Sequence, residues 1–136
     1  MNTVPSGLTL DDLVRVVPFV DGTGILMDYA AAHPASGPFA DEISQLLGRK
    51  ALYMMVNEIP PGVVAPPHTD TLPQRVQRWH LPLQTNAMSF WWDEVSNHFM
   101  HMIQGIWYGP VPYYARHSVM NFGTEPRIHV VVDLEL

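Results

Sequence analysis

The chain contains no cysteine. That removes disulfides, thiolate nucleophiles and cysteine-ligated zinc together, fits a reducing interior, and leaves His, Asp and Glu as the side chains able to hold a metal. No run approaches the roughly 18 to 20 apolar residues of a membrane span, and Met1 to Leu10 lack the basic and apolar stretches of a secretory leader. The expectation is a soluble cytoplasmic protein with no membrane partner. Basic residues are scarce, 7 Lys and Arg against 13 Asp and Glu for a formal net charge of −6. With no clustered basic face to offset phosphate charge, this argues against a nucleic-acid partner. No period of about 20 to 50 residues recurs, which argues against a solenoid or propeller.

What is present is apolar and β-forming. A chain of 136 residues, 47% apolar and 15% charged, is expected to fold as one domain with a well-filled interior. The first fifty residues read as a helical buttress. Thr9 is placed to cap a short helix from Leu10 to Val14 whose first turn carries Asp11 and Asp12. Phe39, Ile43, Leu46 and Leu47 recur at helical spacing between Pro38 and a stop at Gly48. Residues 51–136 form the core, with strands expected at Leu52–Ile59, Pro67–Asp70, Arg78–Gln84, Ser89–Asp93, Phe99–Ile103, Gly105–Tyr108, His117–Asn121 and Ile128–Leu134. Short, evenly spaced strands point to a mainly β jelly roll, two facing sheets around a cavity.

Three constellations carry chemistry. His68 and Asp70 stand two apart in an expected strand, where period-two geometry puts both on one face. His117 opens a later strand and supplies a second imidazole. Two imidazoles and one carboxylate can occupy one face of an octahedron and leave positions open for a chelating cosubstrate and dioxygen, the arrangement of non-haem iron(II) oxygenases. The H-x-D pair alone arises often by chance, and a lone strand histidine is more often structural.

Arg127 follows the turn Gly123-Thr124-Glu125-Pro126 and enters the apolar strand Ile128-His129-Val130-Val131-Val132-Asp133-Leu134. If that turn crosses between sheets, the guanidinium faces the metal over a gap of about 10 Å, a span that a five-carbon dicarboxylate bridges. The bland alternative pairs Arg127 with Glu125 or Asp133 at a surface. Arg78 and His80 share a face at the head of Arg78-Trp79-His80-Leu81-Pro82-Leu83. They either donate to a ligand carboxylate, while Trp79, Leu81 and Leu83 pack outward on the buttress, or form a polar strand edge. His33 is expected in a loop, and His98 and His101 lack partners at metal spacing. His129 either lines the cavity beside Arg127 or, the favoured expectation, is a satisfied structural histidine. Trp91, Trp92 and Trp107 read as packing residues.

Taken in order, His68-Thr69-Asp70, Arg78-Trp79-His80-Leu81-Pro82-Leu83, His117-Ser118-Val119-Met120-Asn121 and Arg127-Ile128-His129-Val130-Val131-Val132-Asp133 resemble the aspartyl/asparaginyl β-hydroxylase-like branch of the iron(II)/2-oxoglutarate dioxygenases, which includes cis-prolyl hydroxylases. The resemblance spans about Leu52 to Asp133. It implies a double-stranded β-helix, His68, Asp70 and His117 as iron(II) ligands and catalytic centre, and Arg127 on the far carboxylate of 2-oxoglutarate. Arg78 and His80 then match an R-x-H pair that binds cosubstrate or substrate. Dioxygen is the co-reactant, and a C–H bond of an amino acid, free or within a peptide, is the target. Some peptidyl hydroxylases of the branch lack the carboxylate ligand, whereas Asp70 is present here. The Pro-rich segment before His117, the short N-terminal region and the end at Leu136 depart from the branch, and the last weakens proline as substrate. The rival expectation is a cupin-like metal-binding protein without 2-oxoglutarate-dependent activity. Substrate identity and oligomeric state stay open.

Overall fold

The computed structural model describes residues 1–13 and 33–136. Its strands are β1 (Asn2–Pro5), β2 (His33–Pro34), β3 (Ala51–Ile59), β4 (Val64–His68), β5 (Gln77–Gln84), β6 (Ser89–Asp93), β7 (Phe99–Met100), β8 (Ile106–Gly109), β9 (His117–Asn121) and β10 (Arg127–Leu134). They form a six-stranded sheet of order β1-β8-β5-β10-β3-β2 and a four-stranded sheet of order β4-β9-β6-β7. All described pairs are antiparallel. The expected jelly roll is therefore the fold. Two helices accompany it, α1 (Leu10–Leu13) and α2 (Pro38–Leu47).

Period-two alternation in the large sheet explains how one set of strands serves two interiors. Met54 and Val56 of β3, Trp79, Leu81 and Leu83 of β5, Trp107 of β8 and Val130, Val132 and Leu134 of β10 share one cluster with Phe39, Ala40 and Ile43 of α2. This is the outward packing on a helical buttress expected for β5. The intervening residues, including Asn57, Arg78, His80, Arg127, His129 and Asp133, are buried as well. A smaller apolar cluster of Ile59, Ala65, Trp91, Met102, Tyr108, Val111 and Val119 joins the two sheets. The strands that build the apolar core on one side thus carry a buried polar layer on the other.

Helix α2 ends where expected, because Gly48 adopts φ 63° and its N–H reaches the Ser44 carbonyl. At α1 the cap is inverted relative to expectation: the Thr9 N–H donates to Asp12 Oδ2 at 2.9 Å, so the carboxylate caps rather than the threonine hydroxyl. Val14, the last residue of that expected helix, lies outside the described residues. Two strands were not anticipated. Asn2–Pro5 pairs with β8, and His33–Pro34, expected as loop, pairs with Met54 and Tyr53. Both are sheet-edge segments whose prolines and polar residues hide a strand signal. The expected Phe99–Ile103 strand shortens to Phe99–Met100 at the other sheet's edge.

Gly109 allows a close crossing, since a Cβ there would stand 2.4 Å from Trp79 Cδ2 in the core. Gly109→Ala is expected to cost about 1–3 kcal/mol through overpacking, read as a lower denaturant midpoint with an unchanged m-value.

Candidate functional site

β4 and β9 pair so that His68 stands directly opposite His117, and Asp93 of β6 stands opposite His117 on the other side. Each histidine is oriented through its own backbone. His68 Nδ1 lies 2.6 Å from the Pro66 carbonyl and His117 Nδ1 lies 2.9 Å from the Ala115 carbonyl. A carbonyl only accepts, so Nδ1 donates in both rings and Nε2 is the nitrogen turned towards Asp70 and available to a metal. Asp70 Oδ1 is 3.4 Å from His68 Nε2, and Oδ2 is 3.3 Å from His117 Nε2. One ligand atom from each of His68, Asp70 and His117 fits within a 4.8 Å cluster. Two imidazoles and one carboxylate at such separations are a donor set that fits a divalent transition metal.

Asp70 reaches this cluster by a different route from the one expected. β4 stops at His68, so the two side chains do not share a strand face. Asp70 lies in the following loop, held by its own N–H on the Tyr113 carbonyl at 3.0 Å and by Arg78 Nη1 on Oδ2 at 2.8 Å. The pairing of β4 with β9 is irregular between Ala65 and His68, consistent with a strand that bends away as it delivers its ligands.

A cleft of about 520 Å³ opens beside the cluster, lined by Met55, Asn57, Arg78, His80, Trp91 and the three candidate ligands among others. That is ample for a small metabolite. Trp91 stacks on His117 with ring centroids 4.9 Å apart and planes 11° from parallel. Its Nε1 donates to Asp93 Oδ2 at 2.8 Å. Burial raises the Asp93 pKa, yet hydrogen bonds from Ser96 and Trp91 outweigh it and hold the carboxyl below its ordinary range. The tryptophan expected to be mere packing is thus pinned against a candidate ligand.

Arg127 occupies the far side of Trp91. The turn after β9 carries the chain from the small sheet to the large one, as expected. Asn121 clamps it by donating to the Ile59 and Glu125 carbonyls at 2.9 and 2.7 Å, while Gln84 holds the Pro126 carbonyl at 2.9 Å. Arg127, only 2% exposed, does not pair with Glu125 or Asp133 at a surface. Both terminal nitrogens are buried without a hydrogen-bond partner among the described residues. Burial lowers its pKa from the ordinary arginine value to about 9.

His129 departs from the satisfied structural role expected of it, for among the described residues its Nε2 is also buried without a partner. It shares with Arg127, Ser89, Trp91 and Met102 a narrow space behind the cleft. His80 Nδ1 lies 3.3 Å from His129 Nδ1, so one ring must donate and the other accept. Burial, reinforced by the Arg127 charge, pushes both pKa values well below 6.5 and keeps both rings neutral. Where His80 donates, His129 is the Nε2–H tautomer and offers a donor beside the guanidinium; where His129 donates, its Nε2 is an acceptor. Asn57, paired with His129 across β3 and β10, adds a buried and unpartnered Oδ1 on the cleft wall. Asn57 escaped sequence reading, although its place on β3, at site-face parity, was the available signal.

Arg78 sits differently from Arg127. Its Nε and Nη2 donate to Asp133 Oδ1 and Oδ2 at 2.7 and 2.6 Å, and Nη1 donates to Asp70. Burial pushes Arg78 down and Asp133 up, but the two-point fork at these distances keeps the pair ionised. Among the described residues no helix is long and apolar enough to cross a membrane.

No match is found among curated proteins. A cupin domain from Bordetella pertussis Tohama I matches in structure with a TM-score of 0.50 and 14% identity, covering 82% of this chain and 100% of that one. At that identity the likeness concerns the fold, which it supports as cupin-like. The family described as aspartyl/asparaginyl beta-hydroxylase matches residues 24–136, a span that includes all six candidate site residues, and the chain belongs to that family.

Proposed function

We propose that the chain is an iron(II)- and 2-oxoglutarate-dependent dioxygenase that hydroxylates a C–H bond of an amino acid, either free or as a side chain in a peptide. The observation that carries this reading is a pair of unmet needs in two spaces that share Trp91 as a wall. Three candidate donor residues cluster in one, and in the other lies a buried guanidinium whose terminal nitrogens have no hydrogen-bond partner among the described residues. A ligand that both chelates a metal and presents a distal carboxylate answers both.

His68, Asp70 and His117 would hold the metal through Nε2, a carboxylate oxygen and Nε2. Arg127 would grip the distal carboxylate through its terminal nitrogens, with His129 Nε2–H as a further donor. Trp91, bordering both spaces, would flank a ligand that reaches from one to the other, and its stacking steadies the His117 ring. His80, neutral at physiological pH, orients His129 without adding a charge that would oppose the metal. Bound iron(II) and 2-oxoglutarate would supply the oxidising chemistry, one atom of dioxygen entering the substrate as hydroxyl while 2-oxoglutarate leaves as succinate and carbon dioxide. The open, mixed-polarity cleft wall of Met55, Asn57, Thr69 and Thr71 is the surface left for substrate.

Anaerobic addition of iron(II) and then 2-oxoglutarate is expected to produce a visible charge-transfer band that needs both. Admission of dioxygen with a panel of amino acids and peptides is then expected to give substrate-dependent succinate release. Metal binding with no band on adding 2-oxoglutarate would instead indicate a cupin-fold metal protein and sink the proposal.

A further inference from the structure

Asp133 stands outside the triad, on the large sheet, and is 2% exposed. Its backbone pairs across the strands with Arg78, and its two oxygens take the Nε and Nη2 fork of that guanidinium. The remaining terminal nitrogen, Nη1, points to Asp70 Oδ2 at 2.8 Å. The Tyr113 ring lies 5.4 Å from the guanidinium carbon, and the Tyr113 carbonyl holds the Asp70 N–H. One buried carboxylate therefore fixes one arginine, which fixes the one candidate ligand that lies beyond a strand end.

We propose that Asp133 is a positioning residue that acts through Arg78 to hold Asp70 as a metal ligand, so that Arg78 serves the metal rather than receiving an incoming carboxylate. The inference rests on the metal reading above. Two physical arguments favour it. First, a loop carboxylate must be held in place to keep one oxygen aimed at an ion, and a charge-assisted bond to Oδ2 does this while Oδ1 stays on the His68 side. Second, a bare guanidinium next to a divalent cation would repel it. Asp133 cancels that charge, so Arg78 can orient Asp70 without opposing the ion. Arg127 makes the contrast: a side chain awaiting an anion keeps its charge unmet, whereas the charge of Arg78 is already met by two carboxylates.

The test uses cobalt(II) as probe, by calorimetry and by its visible d–d spectrum, on the unsubstituted protein, Asp133→Asn, and the double variant Arg78→Met with Asp133→Leu. Asp133→Asn is expected to weaken cobalt(II) binding by roughly 10- to 100-fold and to shift the d–d band, while 2-oxoglutarate affinity at saturating metal stays unchanged. The double variant removes the two fully buried charges together and leaves only the partly exposed Asp70 without its arginine, so its thermal midpoint should stay close to that of the unsubstituted protein. Its cobalt(II) affinity should nevertheless stay low, which a merely structural pair would not produce. Full cobalt(II) affinity in the folded double variant overturns the proposal, as does an Asp133→Asn protein that loses 2-oxoglutarate but keeps the metal. Failure of the unsubstituted protein to bind cobalt(II) at all would instead bring down the metal reading, and the relay with it.

Discussion

Replacing Arg127 with methionine is expected to make the ligand-free protein more stable and to weaken 2-oxoglutarate binding by at least about a hundredfold. Burial lowers the Arg127 pKa from the ordinary arginine value to about 9, and its terminal nitrogens have no hydrogen-bond partner among the described residues. A folded-state pKa below the unfolded one means that holding the charge costs stability. The cost is full below about pH 9 and fades only as pH rises from there towards the ordinary arginine pKa, where folding releases the proton. At about 1.4 kcal/mol per tenfold change, the penalty at neutral pH is a few kcal/mol. Methionine fills similar space with no charge to desolvate. Recovering even about 1 kcal/mol would raise the thermal midpoint by about 3–5 °C in a chain of this size. In the unsubstituted protein 2-oxoglutarate should itself raise the midpoint, because it binds only the folded state, and in Arg127→Met that increment should vanish. Differential scanning calorimetry near pH 7.5, with and without ligand, reads both effects. A variant that melts below the parent would mean that Arg127 has a counter-ion in the ligand-free protein.

The same alternation that builds the core explains what could be read from sequence. Val130, Val132 and Leu134 announced a buried strand, and Trp79, Leu81 and Leu83 announced packing on the helices, because apolar residues at period two have one interpretation. The candidate ligands were legible as residue types in a fixed order. How Asp70 arrives was not, since a strand ending at His68 and a loop tethered to Tyr113 depend on contacts distant in sequence. The same limit hid the partner of Arg78. Asp133 is 55 residues away and meets it only through the register of β5 against β10. Arg127 was weighed between a surface ion pair and a buried anion site, and only burial decides between them. His129 was misjudged because satisfaction of a buried nitrogen is a property of its surroundings. Edge strands β1 and β2 were missed because short polar and proline-bearing segments gain strand structure from a neighbour rather than from propensity.

His117→Ala is expected to remove the metal while leaving the distal carboxylate site intact, the converse of the Arg127 substitution. His117 is held on three sides, by the Ala115 carbonyl at Nδ1, by Trp91 stacked on its face, and by His68 paired opposite on β4. Its Nε2 is one of three donors, so its loss should weaken iron(II) or cobalt(II) by more than the roughly 10- to 100-fold expected from an outer partner such as Asp133. The 2-oxoglutarate charge-transfer band and substrate-coupled succinate should both disappear. Arg127→Met should bind the metal with unchanged affinity, because Arg127 enters on the large sheet whereas His68 and His117 come from the small one. Asp70→Ala should lose the metal as well, and it should also lower the thermal midpoint, since Arg78 then keeps only Asp133 of its two carboxylate partners. Metal titration on the three variants, with succinate release as the second readout, separates these outcomes. Normal turnover in His117→Ala would show that the cluster of His68, Asp70 and His117 is not the metal centre, whatever its geometry.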